Sequence, residues 1–226
     1  MPQKKPLDER LFFIHPMSTA NLTVWGNADS VNVQKVLWCC EELGLAYRRV
    51  DAGRHFGVVG TPEFLAMNPN GLVPTIDDGG FVVWESNAIV RYLAAKHAPG
   101  TLWPIDPMAR ANADRWMDWA SSTLWPTMVP LFRAFFRTPQ ARRDPAAIEA
   151  ARLATLEALR ILDRQLAGTA YVGGDAFTMG DIAAGCAAWR WVAMPVERPA
   201  LPHLERWLAS LARRDPYRKV VMLPLS

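Results

Sequence analysis

Residues 97–107 carry Pro99, Pro104 and Pro107 beside Gly100, and no regular element tolerates that density of imino acids in its interior. The segment reads as a linker, and it divides the 226-residue chain into pieces of domain size. The hydrophobic period differs on its two sides. Residues 21–98 alternate short β-prone runs with helical stripes, whereas residues 109–226 show helical spacing throughout. Residues 99–108 are therefore taken as the boundary, and residues 1–20, which have no regular period, as a poorly ordered extension. Met17 offers a second possible start within it.

In the first half, residues 22–25 form a β-prone run. Residues 32–43 then place Val33, Val36, Leu37, Cys40 and Leu43 on one helical face, with Gly44 as the stop. Residues 45–50 read as a second strand and residues 62–67 as a short helix. Two further runs, 72–76 and 81–84, flank Asp77, Asp78, Gly79 and Gly80, a hairpin signal. Ser86 is expected to cap a helix reaching Lys96. The order is βαβ, α, ββα.

The second half predicts a helix over 108–125 with Trp116 on its buried face. Pro126 and Pro130 should interrupt the helical pattern before it resumes toward Arg137. Asp144 and then Pro145 start a helix striped by Leu153, Leu156, Leu159, Leu162 and Leu166. Thr178 and Asp181 have the spacing of a capping box, with Phe177 and Ile182 as its hydrophobic staple. Leu204, Trp207, Leu208 and Leu211 mark one more amphipathic helix.

The 25 basic and 22 acidic residues give a net charge of +3 without a basic stripe, which argues against nucleic acid. No apolar run is long enough to span a membrane or to form a signal-peptide core, so a cytoplasmic protein is expected. Cys39, Cys40 and Cys186 are too few for a disulfide framework and have no zinc-ligand spacing, so no metal is expected. Seven of the ten tryptophans lie at or after Trp103, to be buried there or shown to an apolar ligand.

Chemistry is best placed in four features of the first half. The loop 26–32 ends at a helix N-terminus, which favours an anion, and Ser30 and Asn32 add a hydroxyl and a carboxamide there. Either residue can instead cap that helix, Asn32 before Ser30. Pro74 comes directly after Val73 at a strand, which implies an edge position or a cis bond exposing the Val73 main chain. Glu85 and Ser86 end the fourth strand. The fourth feature is an absence, since no cysteine precedes Cys39 at the helix start.

The run from Asn68 through Gly71, Val73 and Pro74 to Ile76, with Glu85-Ser86-Asn87 and Phe177-Thr178-Met179-Gly180-Asp181, resembles the glutathione transferase superfamily over residues 21–212. The resemblance implies an α/β thioredoxin-like N-terminal domain that binds glutathione, an all-α C-terminal helical domain that shapes the electrophile site, and a homodimer. It implies that Val73 pairs its main chain with glutathione and that Pro74 is cis. Glu85 and Ser86 would hold the γ-glutamyl end. No tyrosine stands in the loop, so Ser30 and Asn32 are the expected catalytic pair, in a pattern similar to theta-like or bacterial Nu-like loops, with glutathione as co-substrate. The partner is then a small apolar electrophile or a disulfide, the latter implying reductase activity. Leu72 leaves the glycyl carboxylate without a partner, for which Arg54 and His55 are candidates. Trp116, Trp119 and Arg133 are candidates for the wall facing the electrophile, and Cys39 and Cys40 for buried packing. The alternative reading is a non-catalytic glutathione-binding protein or a carrier of apolar ligands.

Overall fold

The computed structural model describes residues 21–225; the expected N-terminal extension, residues 1–20, lies outside them. Four strands form one mixed sheet in the order β2-β1-β3-β4, with β1 Leu22–Trp25, β2 Tyr47–Val50, β3 Thr75–Asp78 and β4 Phe81–Trp84. β1 runs parallel to β2 and antiparallel to β3, pairing Val24 with Arg49 on one side and with Ile76 on the other. Helix α1, Val31–Glu42, makes the crossover from β1 to β2, and α3, Ser86–His97, packs against it. Val24, Val33, Val36, Ile76, Ile89, Val90 and Leu93 are fully buried in this core. The short α2, Pro62–Met67, buries Phe64. This is the thioredoxin-like arrangement of strands and helices.

The strand read over 72–76 begins instead at Thr75. Proline has no amide to give a ladder, and β3 is a central strand, so Val73 and Pro74, joined by a cis peptide bond, precede the pairing. Asn68 organises this approach: its Nδ2 donates to the Leu72 carbonyl at 2.8 Å and to Thr75 Oγ1 at 3.0 Å, while its Oδ1 accepts from the Asn70 amide at 3.1 Å. β2 is two residues shorter at its start than the apolar run suggested. In the hairpin, Asp77 and Asp78 belong to β3, and Gly79 and Gly80 alone turn the chain, with the Gly80 amide bonded to Asp77 Oδ1.

The remaining chain is helical: α4 Pro107–Trp119, α5 Trp125–Phe136, α6 Pro145–Leu166, α7 Met179–Ala193, α8 Pro202–Leu211 and α9 Asp215–Val220. The helix expected over 108–125 stops at Trp119, and a wide π-turn, Ala120–Leu124, joins it to α5. Pro126 follows directly on the wide turn at the start of α5, while Pro130 lies within that helix without ending it. On α6, Asp144 caps as read, but Leu153 is 47% exposed and leaves the apolar stripe. The Thr178–Asp181 capping box forms as read. The short α9 has no periodic signal; it lies one turn beyond α8 and buries Tyr217.

α7 joins the sheet unit to the helices. It packs on α4, α1 and α8 and is buried on nearly every face. Trp38 of α1, fully buried, stacks near Tyr217 at 4.7 Å and Phe177 at 5.6 Å between centroids. Arg214 closes the same seam with two bonds to the Glu42 carboxylate, at 2.8 and 2.6 Å, and lies 3.9 Å from the Phe177 ring centroid.

Candidate functional site

The loop between β1 and α1 is held against the helix it starts. A Cβ on Gly26 would lie 2.4 Å from Val33 Cγ2, so only glycine allows the approach. The buried Asn27 ties the loop to the next strand end through Nδ2 and the Ala52 carbonyl, at 3.2 Å. Ser30 caps α1, its Oγ accepting from the Val33 amide at 3.5 Å. Asn32 is therefore the second helical residue and is not the cap. Its Oδ1 accepts instead from the Ser86 hydroxyl at 3.3 Å, which leaves its amide group without a protein acceptor among the described residues.

Ser86 is accordingly the first residue of α3, and Glu85 takes the cap position with φ 72° and ψ 113° and no side-chain cap bond. Non-glycine residues rarely adopt this conformation, and it marks the end of β4 as a place where the backbone is held out of the ordinary regions. The structure thus joins two of the sequence-predicted pairs, Ser30–Asn32 and Glu85–Ser86, through one hydrogen bond.

A cleft of about 410 Å³ opens beside them. Ser30, Asn32 and Val73 line it, with Leu72 and Arg54. Its volume lies near the lower end of the ~300–1,000 Å³ usual for small-molecule sites. Neither the amide nor the carbonyl of Val73 is hydrogen-bonded within the described residues. His55 is exposed, its ring 4.0 Å from that of Phe56, and it is not among the lining residues; Pro74, Glu85 and Ser86 are not either. Arg54 lines the cleft and pairs with Asp29 at 3.2 Å.

The helical half contributes Trp125, Phe132, Arg137 and Arg190. Trp116 and Trp119 pack on each other at 5.0 Å, edge to face, outside this lining, and Arg133 is not part of it either. The π-turn explains the difference for the two tryptophans. One extra residue in a turn rotates everything after it by ~100°, so the aromatic face that meets the cleft is set after the turn, not before it. Lys35 carries no pattern that singles it out, yet it is 3% exposed on α1, with Nζ 3.5 Å from Asn87 Oδ1; burial lowers its pKa to about 8.

The three cysteines are fully buried. Burial pushes the thiols of Cys40 and Cys186 up to about 12 and that of Cys39 well above its ordinary value. None is a nucleophile at neutral pH. Among the described residues no cluster of three or more histidine, cysteine or acidic side chains is placed to hold a metal, and no helix is long and apolar enough to cross a membrane.

Fold and cleft together define a thioredoxin-like unit joined to a helical half, with a cleft at the start of α1 lined by both. The family model for the glutathione S-transferase N-terminal domain matches residues 20–95, and that for the C-terminal domain matches residues 145–210. The chain is 43% identical to glutathione S-transferase GstB of Escherichia coli over 207 residues, 91% of this chain and all of that protein. It is 32% identical to glutathione S-transferase 3 of Zea mays, over 89% of this chain and 94% of the relative. A theta class glutathione S-transferase from the citrus canker pathogen Xanthomonas axonopodis pv. citri, solved with glutathione bound, superposes with a TM-score of 0.89 at 48% identity, covering 92% of this chain and all of that one. The chain belongs to the glutathione S-transferase family.

Proposed function

We propose that the cleft binds glutathione and stabilises its thiolate for attack on an electrophile. The observation that carries this reading is the unpaired main chain of Val73 in the same cleft as Ser30 and Asn32. An extended peptide can pair with both of its free groups, and its sulfur then meets the N-terminus of α1. Glu85 and Ser86 receive the γ-glutamyl end, and Arg54 takes the glycyl carboxylate in preference to His55. Residues 21–98 form the glutathione-binding domain and residues 109–226 the domain that receives the electrophile, on Trp125 and Phe132. The protein acts as a cytoplasmic homodimer.

A free thiol with a pKa near ~8.5 is only ~3% ionised at pH 7. Lowering it by ~2 units multiplies the thiolate ~25-fold, but with a Brønsted slope of ~0.4–0.5 lower nucleophilicity takes back most of that gain. The larger part of the acceleration comes from alignment of sulfur and electrophile in a small cleft. The sulfur forms the new bond to carbon and the leaving group departs with the bonding pair; with a disulfide the leaving group is a thiolate, so reductase activity uses the same atoms.

Replacing Ser30 and Asn32 together with Ala should lower conjugation of a chloronitrobenzene about tenfold or more while saturating glutathione still protects the protein against heat. Unchanged turnover removes both residues from the mechanism. Absence of thermal protection at millimolar glutathione in the unsubstituted protein refutes the reading and favours a carrier of apolar ligands, which quenching of tryptophan fluorescence would show.

A further inference from the structure

The most completely buried cation of the site comes from the far end of the chain. Arg190 on α7 is 2% exposed and lines the cleft. Its Nη1 donates to Gln34 Oε1 at 2.7 Å and its Nη2 to the Asp29 carbonyl at 2.6 Å, while Nε finds no acceptor. It forms no ion pair among the described residues. The guanidinium lies 5.9 Å from the centroids of both Trp125 and Phe132, behind the aromatic wall.

A buried cation satisfied only by neutral oxygens is costly, and here burial lowers its pKa to about 10, which still leaves it charged at neutral pH. A neutral donor would tether Gln34 and Asp29 equally well without that cost. The charge therefore points to an anion that forms in the cleft. The Asp29 carbonyl belongs to the peptide that leads into Ser30, so the guanidinium stands beside the group placed to meet the sulfur.

We propose that Arg190 is a positioning residue for the glutathione thiolate: it fixes the Ser30 loop through the Asp29 carbonyl, and its unneutralised charge favours ionised sulfur over thiol. The inference rests on the glutathione reading above. When the thiol ionises, its proton passes to water, and the new negative charge faces the positive end of α1 and the guanidinium. The other groups around Arg190 are few. Asp29 is paired with Arg54 on the loop side. Lys35 of α1 is a second buried cation, and Cys186 of α7 is neutral at working pH. Arg137, after α5, lines the same cleft, and Glu85 acts on Lys35 from the start of α3. The buried members of this set sum to a positive field.

The test uses the full chain with saturating glutathione, monitoring the ultraviolet thiolate band and the acid limb of kcat/KM against pH. Arg190→Met should raise the pKa of the bound thiol by about one unit or more, a roughly tenfold loss of thiolate below that limb, with KM for glutathione changing far less than kcat. Arg190→Lys keeps the charge and should hold the limb close to its original position. Should the Met variant not fold, Arg190→Gln, which retains neutral donors, takes its place with the same expectation. A folded Met or Gln variant whose limb does not move overturns the proposal, as does a Lys variant that moves it equally far. A thiolate band absent even with Arg190 in place overturns the glutathione reading itself; a band that the substitution leaves unaltered overturns the role of Arg190 alone.

Discussion

Ser30 is asked to do two things, and a single substitution separates them. As a cap it accepts one amide hydrogen bond at 3.5 Å, the long end of the range, so Ser30→Ala should cost only about 0.5 kcal/mol, the low end for N-caps. In a chain of this size that is about 1–2 °C in Tm. As a donor to a thiolate, its loss removes a hydrogen bond to a charged group, worth ~1.5–3 kcal/mol, or about one to two units in the thiol pKa. At a pH well below the thiol pKa, thiolate should fall about 10- to 100-fold. Because the more basic sulfur is also the better nucleophile, kcat/KM should fall only about 3- to 15-fold. Asn32→Ala should differ in kind: it frees the Ser86 hydroxyl as well, so KM for glutathione should rise together with the thiol pKa. Titration of the thiolate band and a thermal melt of each variant measure the two effects independently. If Ser30→Ala lowers Tm and leaves the thiol pKa where it was, Ser30 is a cap and nothing more, and the stabilisation of sulfur must be reassigned to Asn32, the helix terminus and Arg190.

Two further predictions concern the frame around the site. Asp181 accepts from the Val172 amide, the Trp207 indole and both donors of Thr178, yet burial outweighs these bonds and raises its carboxyl to about 6 from 3.8. A folded pKa above the unfolded one gives stability that is complete below ~4 and is lost as pH rises through about 6, an amount of about 3 kcal/mol. Urea unfolding between pH 4 and 7 should show that slope, and Asp181→Asn should flatten it; an unchanged slope refutes the assignment to Asp181. Gly180 lies where α7 crosses α4, and a Cβ there would sit 2.9 Å from the Ala113 carbonyl oxygen, a backbone atom that cannot turn aside. Gly180→Ala should therefore destabilise by about 1–2 kcal/mol despite its better helix propensity, and a higher urea midpoint would contradict that packing.

How much of the molecule is legible in the sequence depends on the range of the interaction that carries each signal. The Thr178–Asp181 box, the Asp144 cap and the proline after Val73 are local patterns, decided within four residues, and the structure places them as read. Ser86 fails as a cap because the helix already begins at it, with Glu85 in the cap position, and its hydroxyl donates to Asn32, 54 positions earlier, a partner that local pattern does not reveal. The aromatic stretch read as the wall does reach the cleft, through Trp125 and Phe132, but Trp116 and Trp119 lie before the π-turn, which changes the helical phase, and Arg133 is outside the lining too. Arg190 does leave a trace in the sequence. Residues 182–191 are apolar on every side except for that one arginine, and a helix apolar all round must be buried, so its single cation has to be buried with it.

The division of the chain by charge is best explained from that same residue. Residues 21–98 carry 6 basic and 8 acidic side chains, and residues 99–226 carry 16 and 12, so the half that holds the unpaired main chain of Val73 is the negative one. A thioredoxin-like unit usually has a reactive thiol of its own at the start of its first helix, and here the three thiols lie buried with raised pKa values. A borrowed sulfur arrives with a peptide that carries negative charge, and ionising it adds more. The helix terminus offers a partial charge that fades within a turn. Arg54 of the first half is paired with Asp29 and Lys35 meets Asn87, and α7 adds a further full charge across the seam on Arg190, bonded to the Asp29 carbonyl beside Ser30 at 2.6 Å. On this view the helical half does more than wall the electrophile: separated from it, the first half would keep the cleft edge and lose the buried cation bonded beside Ser30.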